Sequence, residues 1–260
     1  MKKLGIKNLN IGIVILILII TSCIPQKRMI YLQDKNPEDT LTKFFREKVQ
    51  EYKIQPGDNL YIKVHSLDDK TFSFFNTIGT QSLGSQYSDI SVYLNSYVVN
   101  DLGCIDFPIV GEIEVQKLTI GETKDLIQEI INKYLIETTI TVKVVNYKIT
   151  IIGEVNNPGE YSIYQDNINI FEAISLSGDL TDFANRNEVS LVRRTKNGAV
   201  IHHIDLTDNL ILESEYYYLM PNDILYIKPL KGKQFAFANF PYGLVFSAIS
   251  TTLLLINYFK

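Results

Sequence analysis

The sequence predicts an α+β fold of two small mixed domains, with an apolar segment at each end of the chain. About 180 residues lie between Glu51 and Pro229, which is more than one small domain usually holds. Alternating strand patterns and amphipathic helices mix there without the regular strand–helix alternation of a parallel α/β sheet. The terminal segments are different, because residues 11–20 are apolar and no charged residue lies between Lys233 and Lys260.

The N-terminal segment has the features of a secretory signal peptide. Three lysines precede the apolar residues 11–20, and small residues follow. About ten strongly apolar residues are too few to span a bilayer comfortably as a mature helix. The junction Ile-Thr-Ser-Cys, ending at Cys23, resembles a bacterial lipobox, in which the cysteine is acylated and cleavage falls before it. We therefore expect a lipoprotein signal peptide over residues 1–22 and a covalent lipid on Cys23. The alternative is a signal anchor that stays uncut.

Charge and cysteine content exclude several classes of partner. The chain has a net charge of −4, and removing residues 1–22 removes three lysines and no acidic residue, which leaves −7. Such a charge disfavours nucleic acid and anionic membrane surfaces as partners, because both require basic patches. With Cys23 lipidated, Cys104 has no intramolecular disulfide partner and is expected to be a small buried residue.

Two stretches are predicted to lie outside regular structure. Residues 23–51 combine the short extended piece "MIYLQD" with a charged stretch, and we expect a lipidated N-terminus and a tether that lifts the globular part off the lipid. Residues 66–91 are rich in Ser, Thr, Gln, Gly and Phe and show no periodicity. They are predicted to form a long insertion loop.

One segment of the sequence recurs. "YKIQPGDNLYIK" (residues 52–63) is echoed by "YYLMPNDILYIK" (residues 217–228), and in both a proline precedes a residue suited to the φ > 0 position of a type II turn. "NNPGEY" (residues 156–161) is predicted to form a third turn of the same chemistry. The matched flanks favour a repeated strand-opening unit, although convergence on a common turn remains the alternative. The predicted turn residues are Pro56, Gly57, Pro158, Gly159, Pro221 and Asn222.

Two helices carry N-terminal capping signals. Thr119 and Glu122 form the pattern of a capping box before an apolar stripe. Asn169 and Glu172 repeat the pattern, and Gly178 is predicted to end that second helix. Strands are predicted before, between and after them.

A search for catalytic chemistry gives no candidate. No HExxH, CxxC, GxSxG or P-loop pattern is present. His202 and His203 are adjacent on a predicted strand and therefore point to opposite faces, so they cannot easily share a metal ion. Nothing pairs two carboxylates as a glycosidase requires. We expect no catalytic residue, no metal and no cofactor other than the lipid on Cys23.

The C-terminal segment is predicted to be a transmembrane helix over residues 234–259, because about 20 uncharged residues cross a bilayer core. Small and polar residues at spacings of three or four fall on one face of this helix. Thr252 lies on the opposite side, where its hydroxyl is expected to bond to a carbonyl of its own helix. A pore or helix-packing face is predicted from Gly243, Ser247, Ser250, Thr251 and Asn257.

Four strings together resemble one family. They are "YKIQPGDNLYIKV", "VNDLGCIDFPIVGEIEVQKLTIGETKDLI", "TITVKVVNYKITIIGEVNNPGEYSI" and "NIFEAISLSGDLTDFANRNEVSLVRR". Their order, together with the lipobox, resembles the outer-membrane polysaccharide export family of Wza-like lipoproteins, in a short form. The resemblance implies a polysaccharide export domain over residues 52–145 and one β-grasp-like SLBB domain over residues 146–230.

The same resemblance implies a function and its partners. We expect a homo-oligomeric ring that exports capsular or exopolysaccharide and meets an inner-membrane polysaccharide co-polymerase of the tyrosine-kinase type. The protein would be lipid-anchored in the outer membrane, with its soluble domains in the periplasm. The alternative is a membrane-anchored polysaccharide-binding or scaffolding lipoprotein without its own pore. A periplasmic glycan hydrolase is a third class, and the only feature that favours it is the presence of carboxylates.

Overall fold

The fold is taken from a computed structural model, which describes residues 26–35, 51–66, 93–195, 198–231, 233 and 241–258. The predicted signal peptide, Cys23, most of the predicted tether and nearly all of the predicted loop lie outside these residues. Two clusters of buried apolar side chains divide residues 51–231 into two domains, one on each side of Val145. The predicted α+β fold of two small mixed domains is thereby confirmed.

The first domain contains a three-stranded antiparallel sheet, a hairpin and one helix. Its elements are β1 (Asn59–Ser66), β2 (Tyr97–Val98), β3 (Cys104–Phe107), β4 (Gly111–Glu114), α1 (Ile120–Ile131) and β5 (Thr138–Val144). The sheet has the order β2-β1-β5, and β3 pairs with β4. Alternate residues of β1, namely Leu60, Ile62 and Val64, are buried as their spacing predicts.

The second domain contains a five-stranded mixed sheet and a short helix. Its strands and helix are β6 (Lys148–Gly153), β7 (Gly159–Ser162), β8 (Ile168–Asn169), α2 (Ile170–Leu176), β9 (Ala184–Thr195), β10 (Gly198–Ile204), β11 (Tyr218–Leu219) and β12 (Ile224–Pro229). The large sheet has the order β10-β9-β12-β6-β7, while β8 and β11 form a separate pair. Only β12 and β6 run parallel in the large sheet.

Both predicted capping boxes are present. The Thr119 hydroxyl accepts a hydrogen bond from the Glu122 amide at 3.1 Å, and the Glu122 carboxylate accepts one from the Thr119 amide at 2.8 Å. Asn169 and Glu172 exchange the same two bonds at the start of α2. These bonds satisfy backbone donors that a helix start leaves free.

The parallel pair gives the second domain two distinct ends. At the end where β6 and β12 begin, the Thr150 amide donates to the Asp223 carbonyl at 3.0 Å. At the end where they finish, the Glu154 amide donates to the Ile227 carbonyl at 3.0 Å. We call these the entry end and the exit end of the second domain.

The first domain joins the second at the entry end. Asn146, two residues before β6, accepts a hydrogen bond from the Asn59 amide at 2.9 Å and donates one to the Gly57 carbonyl at 3.0 Å. The Val145 amide donates to the Asn59 carbonyl at 2.9 Å. Asn146 therefore ties the interdomain link to the start of β1.

Residues 26–35, which we call the N-terminal strap, lie on the second domain although the first domain follows them in the chain. The Leu32 and Gln33 amides donate to the Leu206 and Thr207 carbonyls at 3.1 and 2.7 Å. Lys35 forms an ion pair with Asp205 at 2.6 Å. This part of the predicted tether is thus docked on a domain that begins more than 100 residues later.

Candidate functional site

The C-terminal helix, α3 (Tyr242–Tyr258), is the strongest candidate for a functional element. It has 17 residues and follows Pro241, whose carbonyl accepts from the Leu244 amide at 3.0 Å. From Gly243 onwards, every side chain of α3 that the structure describes is exposed, including Leu244 at 71% and Leu254 at 70%. Among the residues that the structure describes, this uncharged helix therefore has an exposed apolar surface.

The predicted small and polar face is consistent with the helix geometry. At 100° per residue, Gly243, Ser247, Ser250, Thr251 and Asn257 fall within one arc of about 120°. The hydroxyls of Ser247 and Thr251 donate to the Leu244 and Ser247 carbonyls at 2.9 and 2.8 Å. Because these donors are already satisfied, the face is suited to close helix packing as well as to water.

Thr252, on the opposite side of α3, behaves as predicted. Its hydroxyl donates to the Ala248 carbonyl at 2.7 Å. Thr251 and Thr252 are therefore two adjacent threonines with the same internal hydrogen bond on different faces.

Within the described ranges, no helix has both the length and the apolarity that a membrane crossing needs. Residues 234–240 and 259 of the predicted transmembrane segment lie outside those ranges.

The segment that leads from β12 to α3 is attached to the second domain. Lys233 pairs with the buried carboxylate of Glu154, which also accepts a hydrogen bond from the Thr181 hydroxyl at 2.8 Å. The Leu230 amide donates to the Phe183 carbonyl at 2.7 Å. Glu154, which the sequence analysis did not single out, therefore holds the start of this segment at the exit end.

The repeated turns have the predicted backbone conformation. Gly57 and Asn222 adopt φ of 90° and 66°, which is the left-handed region required after Pro56 and Pro221. In both turns the next residue is a buried aspartate that accepts a hydrogen bond from the amide three residues earlier, at 2.8 Å in each case. The two segments are therefore two copies of the same structural unit, which leads into β1 in one copy and into β12 in the other.

The two buried aspartates differ in their other partners. Asp58 accepts from the Tyr52 hydroxyl at 2.8 Å, and burial raises the pKa of its carboxyl group even though the two hydrogen bonds lower it. Asp223 accepts from the Arg193 guanidinium at 2.7 and 3.0 Å in a two-point ion pair. Both carboxylates therefore stabilise turns, and within the described part of the chain neither is paired with a second carboxylate as glycoside hydrolysis would need.

The third predicted turn is different. Gly159 is not among the glycines with positive φ, and it is the first residue of β7, where it pairs with Ile151. Ladder pairing holds it in the extended conformation, so Pro158 and Gly159 do not repeat the turn of Pro56 and Gly57. The prediction of identical chemistry is wrong for this segment.

His202, His203 and the tyrosines near β11 have structural partners. His202 stacks on Tyr216 with ring centroids 4.1 Å apart, whereas His203 lies 3.4 Å from the Ser190 hydroxyl. The two rings thus have different surroundings, as predicted for adjacent residues of a strand. Tyr217 packs into the core of the second domain. Among the described residues, no group of histidine, cysteine or acidic side chains could hold a metal ion.

The N-terminal strap adds a contact that the sequence does not predict. The Tyr31 hydroxyl donates to Asp179 at 2.6 Å, and the Tyr31 ring lies 5.2 Å from the guanidinium of Arg186, which is only 5% exposed. Burial and the bond to Asp179 raise the pKa of Tyr31. Arg186 itself donates to carbonyls of the loop 179–184, Thr181 O at 3.3 Å and Ala184 O at 3.5 Å. Beside Tyr31 is a cavity of about 340 Å³, lined by Tyr31, Phe171, Ile174, Ser175, Gly178 and Asp179.

Comparison with known families covers most of the part that forms the two domains. Residues 46–145 match the family described as "Polysaccharide biosynthesis/export protein", and residues 147–227 match the "SLBB domain". The boundary between the two matches coincides with the link at Asn146.

Two curated relatives have the name "EPS I polysaccharide export outer membrane protein EpsA". The protein of Ralstonia nicotianae is 31% identical over 159 residues, which cover 58% of this chain and 40% of the relative. The protein of Ralstonia solanacearum is 32% identical over the same shares. The chain thus spans about two fifths of the length of the relatives it matches.

Proposed function

Because the chain belongs to the Wza-like polysaccharide biosynthesis/export family, with one SLBB domain, we propose that it forms an oligomeric channel that exports capsular or exopolysaccharide across the outer membrane. Proteins of this family are transport proteins rather than enzymes, in agreement with the prediction of a non-enzymatic chain. The names of both relatives place them in the outer membrane. That location is proposed for this chain as well.

The observation that carries the proposal is the exposed apolar surface of α3. Soluble monomers rarely expose a contiguous apolar patch larger than a few hundred Å². Leu244, Phe246, Leu253 and Leu254 are each more than half exposed on this one helix. Lipid on most of the circumference and neighbouring copies of α3 along the small face would cover this surface. Small residues along such a face let neighbouring helices approach closely, and a ring of helices packed in this way would enclose the pore of the proposed channel.

The anchoring arrangement follows from the same proposal. Acyl chains on Cys23 hold each subunit to the inner leaflet of the outer membrane, since several chains at about 0.8 kcal/mol per buried methylene make a stable anchor. The two domains lie in the periplasm and form stacked rings. The base of that assembly meets an inner-membrane co-polymerase of the tyrosine-kinase type, and polysaccharide passes through the centre.

A second function is favoured by one observation. The hydroxyls of Ser247 and Thr251 are bonded within their own helix and so do not require water. This favours a membrane-anchored polysaccharide-binding or scaffolding lipoprotein, in which α3 is only an anchor. In that case an unrelated membrane helix would replace α3 without loss of function.

The first experiment measures the mass of the full-length lipoprotein in mild detergent beside a version that ends at Lys233. The channel predicts a discrete large multimer that falls apart without the C-terminal segment. A multimer in both versions would assign assembly to the soluble domains. A monomer in both would refute the ring.

The adjacent threonines supply a matched test of the pore face. Thr251→Leu changes the proposed packing face, while Thr252→Leu makes the same chemical change on the opposite side. The channel predicts loss of surface polysaccharide and of the multimer only for Thr251→Leu. Normal export in both variants would contradict a functional face on α3.

A further inference from the structure

We propose that the large sheet of the second domain, through the face turned away from α2, packs against the helix side of the second domain in a neighbouring copy of the chain. This inference rests on the proposed channel, because it assigns two of the surfaces by which neighbouring subunits meet.

The helix α2 covers one face of the five-stranded sheet. On that face, Ile151, Leu191 and Leu225 are fully buried in one cluster with Ile170 and Ala173 of α2. Because successive residues of a strand point to opposite faces, the residues between them form the other face, which we call the open sheet face.

The centre of the open sheet face is apolar. Val192 of β9 pairs with Ile201 of β10 on one side and with Ile224 of β12 on the other. One row further along the strands, Tyr226 of β12 pairs with Ile152 of β6. Ile201 is 58% exposed, and Ile152 and Tyr226 are each more than a third exposed. Residues from four strands therefore form one apolar patch that solvent reaches.

This patch differs from the solvent face of an ordinary antiparallel sheet, which carries polar residues. The sheet of the first domain follows the ordinary rule. The outward residues of its strands β1 and β5 are Tyr61, Lys63, His65, Thr139, Thr141 and Lys143. An aliphatic outer face is typical instead of a sheet that is covered on both sides.

Ion pairs lie at both ends of the open sheet face. Lys148 and Glu160 are 2.8 Å apart at the entry end, and Lys228 and Glu188 are 2.5 Å apart towards the exit end. An apolar centre with a charged rim is the arrangement of a protein–protein interface. Each acidic residue of these pairs is balanced within the chain, which suits a partner of the same acidic charge, such as a second copy.

The opposite side of the second domain offers a second apolar surface, which we call the helix side. Leu176 lies about 200° around α2 from the buried Ile174 and is 46% exposed. The cavity beside Tyr31 lies along the same helix, with Phe171 and Ile174 in its lining. A contact between identical surfaces closes a dimer, whereas a larger ring needs two different surfaces on each subunit. The open sheet face and the helix side are such a pair.

The first test identifies what covers the open sheet face. The full-length acylated chain with Cys104→Ser receives one thiol at Ile201→Cys, and a photoactivated crosslinker is attached there. In mild detergent we expect a product of twice the chain mass, in which mass spectrometry joins position 201 to a peptide of α2 or of the N-terminal strap. A multimer without this product, or with a link between two open sheet faces, would overturn the contact.

The second test compares two adjacent residues of β10. Ile201→Glu places a charge on the open sheet face, while Val200→Glu places one on the opposite face of the same strand, where Val200 is 42% exposed. Both positions are exposed enough that circular dichroism should show folded protein. We expect the protein concentration at which the multimer dissociates to rise at least about tenfold for Ile201→Glu and to stay near the wild-type value for Val200→Glu.

The outcomes separate this contact from the proposed function. A wild-type chain that is monomeric in mild detergent would refute the ring and this contact with it. A wild-type multimer whose dissociation is unchanged by Ile201→Glu, or changed equally by both variants, would overturn the contact alone.

Discussion

Replacing Asp223 by Asn should destabilise the second domain far more than the equivalent change, Asp58→Asn, destabilises the first. The two aspartates occupy the same position of a repeated turn and are both buried. The substitution keeps the shape and one acceptor oxygen in each turn. Only at Asp223 does it remove the charged partner of a largely buried cation, Arg193.

The magnitudes follow from the partners. The side chains of Arg193 and Asp223 are 14% and 1% exposed, and breaking a buried pair by removing one partner costs about 3–5 kcal/mol. Asp58 has no such cation and accepts from the Tyr52 hydroxyl and a backbone amide, so the substitution weakens about one hydrogen bond and costs about 1 kcal/mol. For domains of this size, about 4–8 °C of Tm corresponds to 1 kcal/mol, so we expect a fall of more than about 12 °C for Asp223→Asn.

Thermal unfolding of the full chain in mild detergent, followed by circular dichroism, gives the two Tm values. Hydrogen exchange measured by mass spectrometry then assigns each loss of protection to one domain. Equal shifts for Asp58→Asn and Asp223→Asn would refute the argument from the Arg193 pair. Loss of protection in the first domain on Asp223→Asn would refute the assignment of that pair to the second domain.

Three further predictions concern the same two domains. Gly153→Ala should lower the free energy of unfolding of the second domain by at least about 2 kcal/mol, because a Cβ there lies 2.1 Å from the Ile227 carbonyl at a φ of 100°; Gly159→Ala, with open space around it, is the control in the same urea titration. Thr119→Ala should lower the free energy of unfolding of the first domain by about 1 kcal/mol and Thr119→Ser by much less, since only the serine keeps the cap; denaturant midpoints compare the two. Burial raises the pKa of Asp58, so its contribution to stability is present below its unfolded pKa and is lost as the pH rises through its folded pKa. As the pH falls from neutral into the acidic range, the difference in unfolding free energy between the wild type and Asp58→Asn should therefore change in favour of the wild type. A difference that does not change with pH would contradict this.

Local signals predict much of the fold. The Pro-Gly and Pro-Asn turns locate the starts of β1 and β12, and the capping residues Thr119 and Asn169 locate the starts of both domain helices, because each signal acts within four residues. The segment at Pro158 and Gly159 shows the limit of such signals. Its composition matches the other turns, but pairing with β6 determines its conformation.

Contacts between distant segments could not be predicted. The N-terminal strap is short and mostly polar, and its anchor Tyr31 meets a partner 148 residues away. The pairing of Arg193 with Asp223 and of Lys233 with Glu154 likewise depends on the sheet order, which the spacing of apolar residues does not determine. At the candidate site, the functional face of α3 stays a prediction, and the attachment of the segment before α3 through Lys233 and Glu154 was not predicted.

The parallel pairing of β6 with β12 makes the second domain a unit that evolution can duplicate in tandem. Its first and last residues emerge at opposite ends, so a copy inserted after Pro229 would continue in the same direction and lengthen the protein by about one strand, ~20 Å. The junction with the preceding domain and the junction with the terminal helix would each keep their present geometry. Gain or loss of one such copy would change the length of the protein along the direction of β6 in a single genetic step.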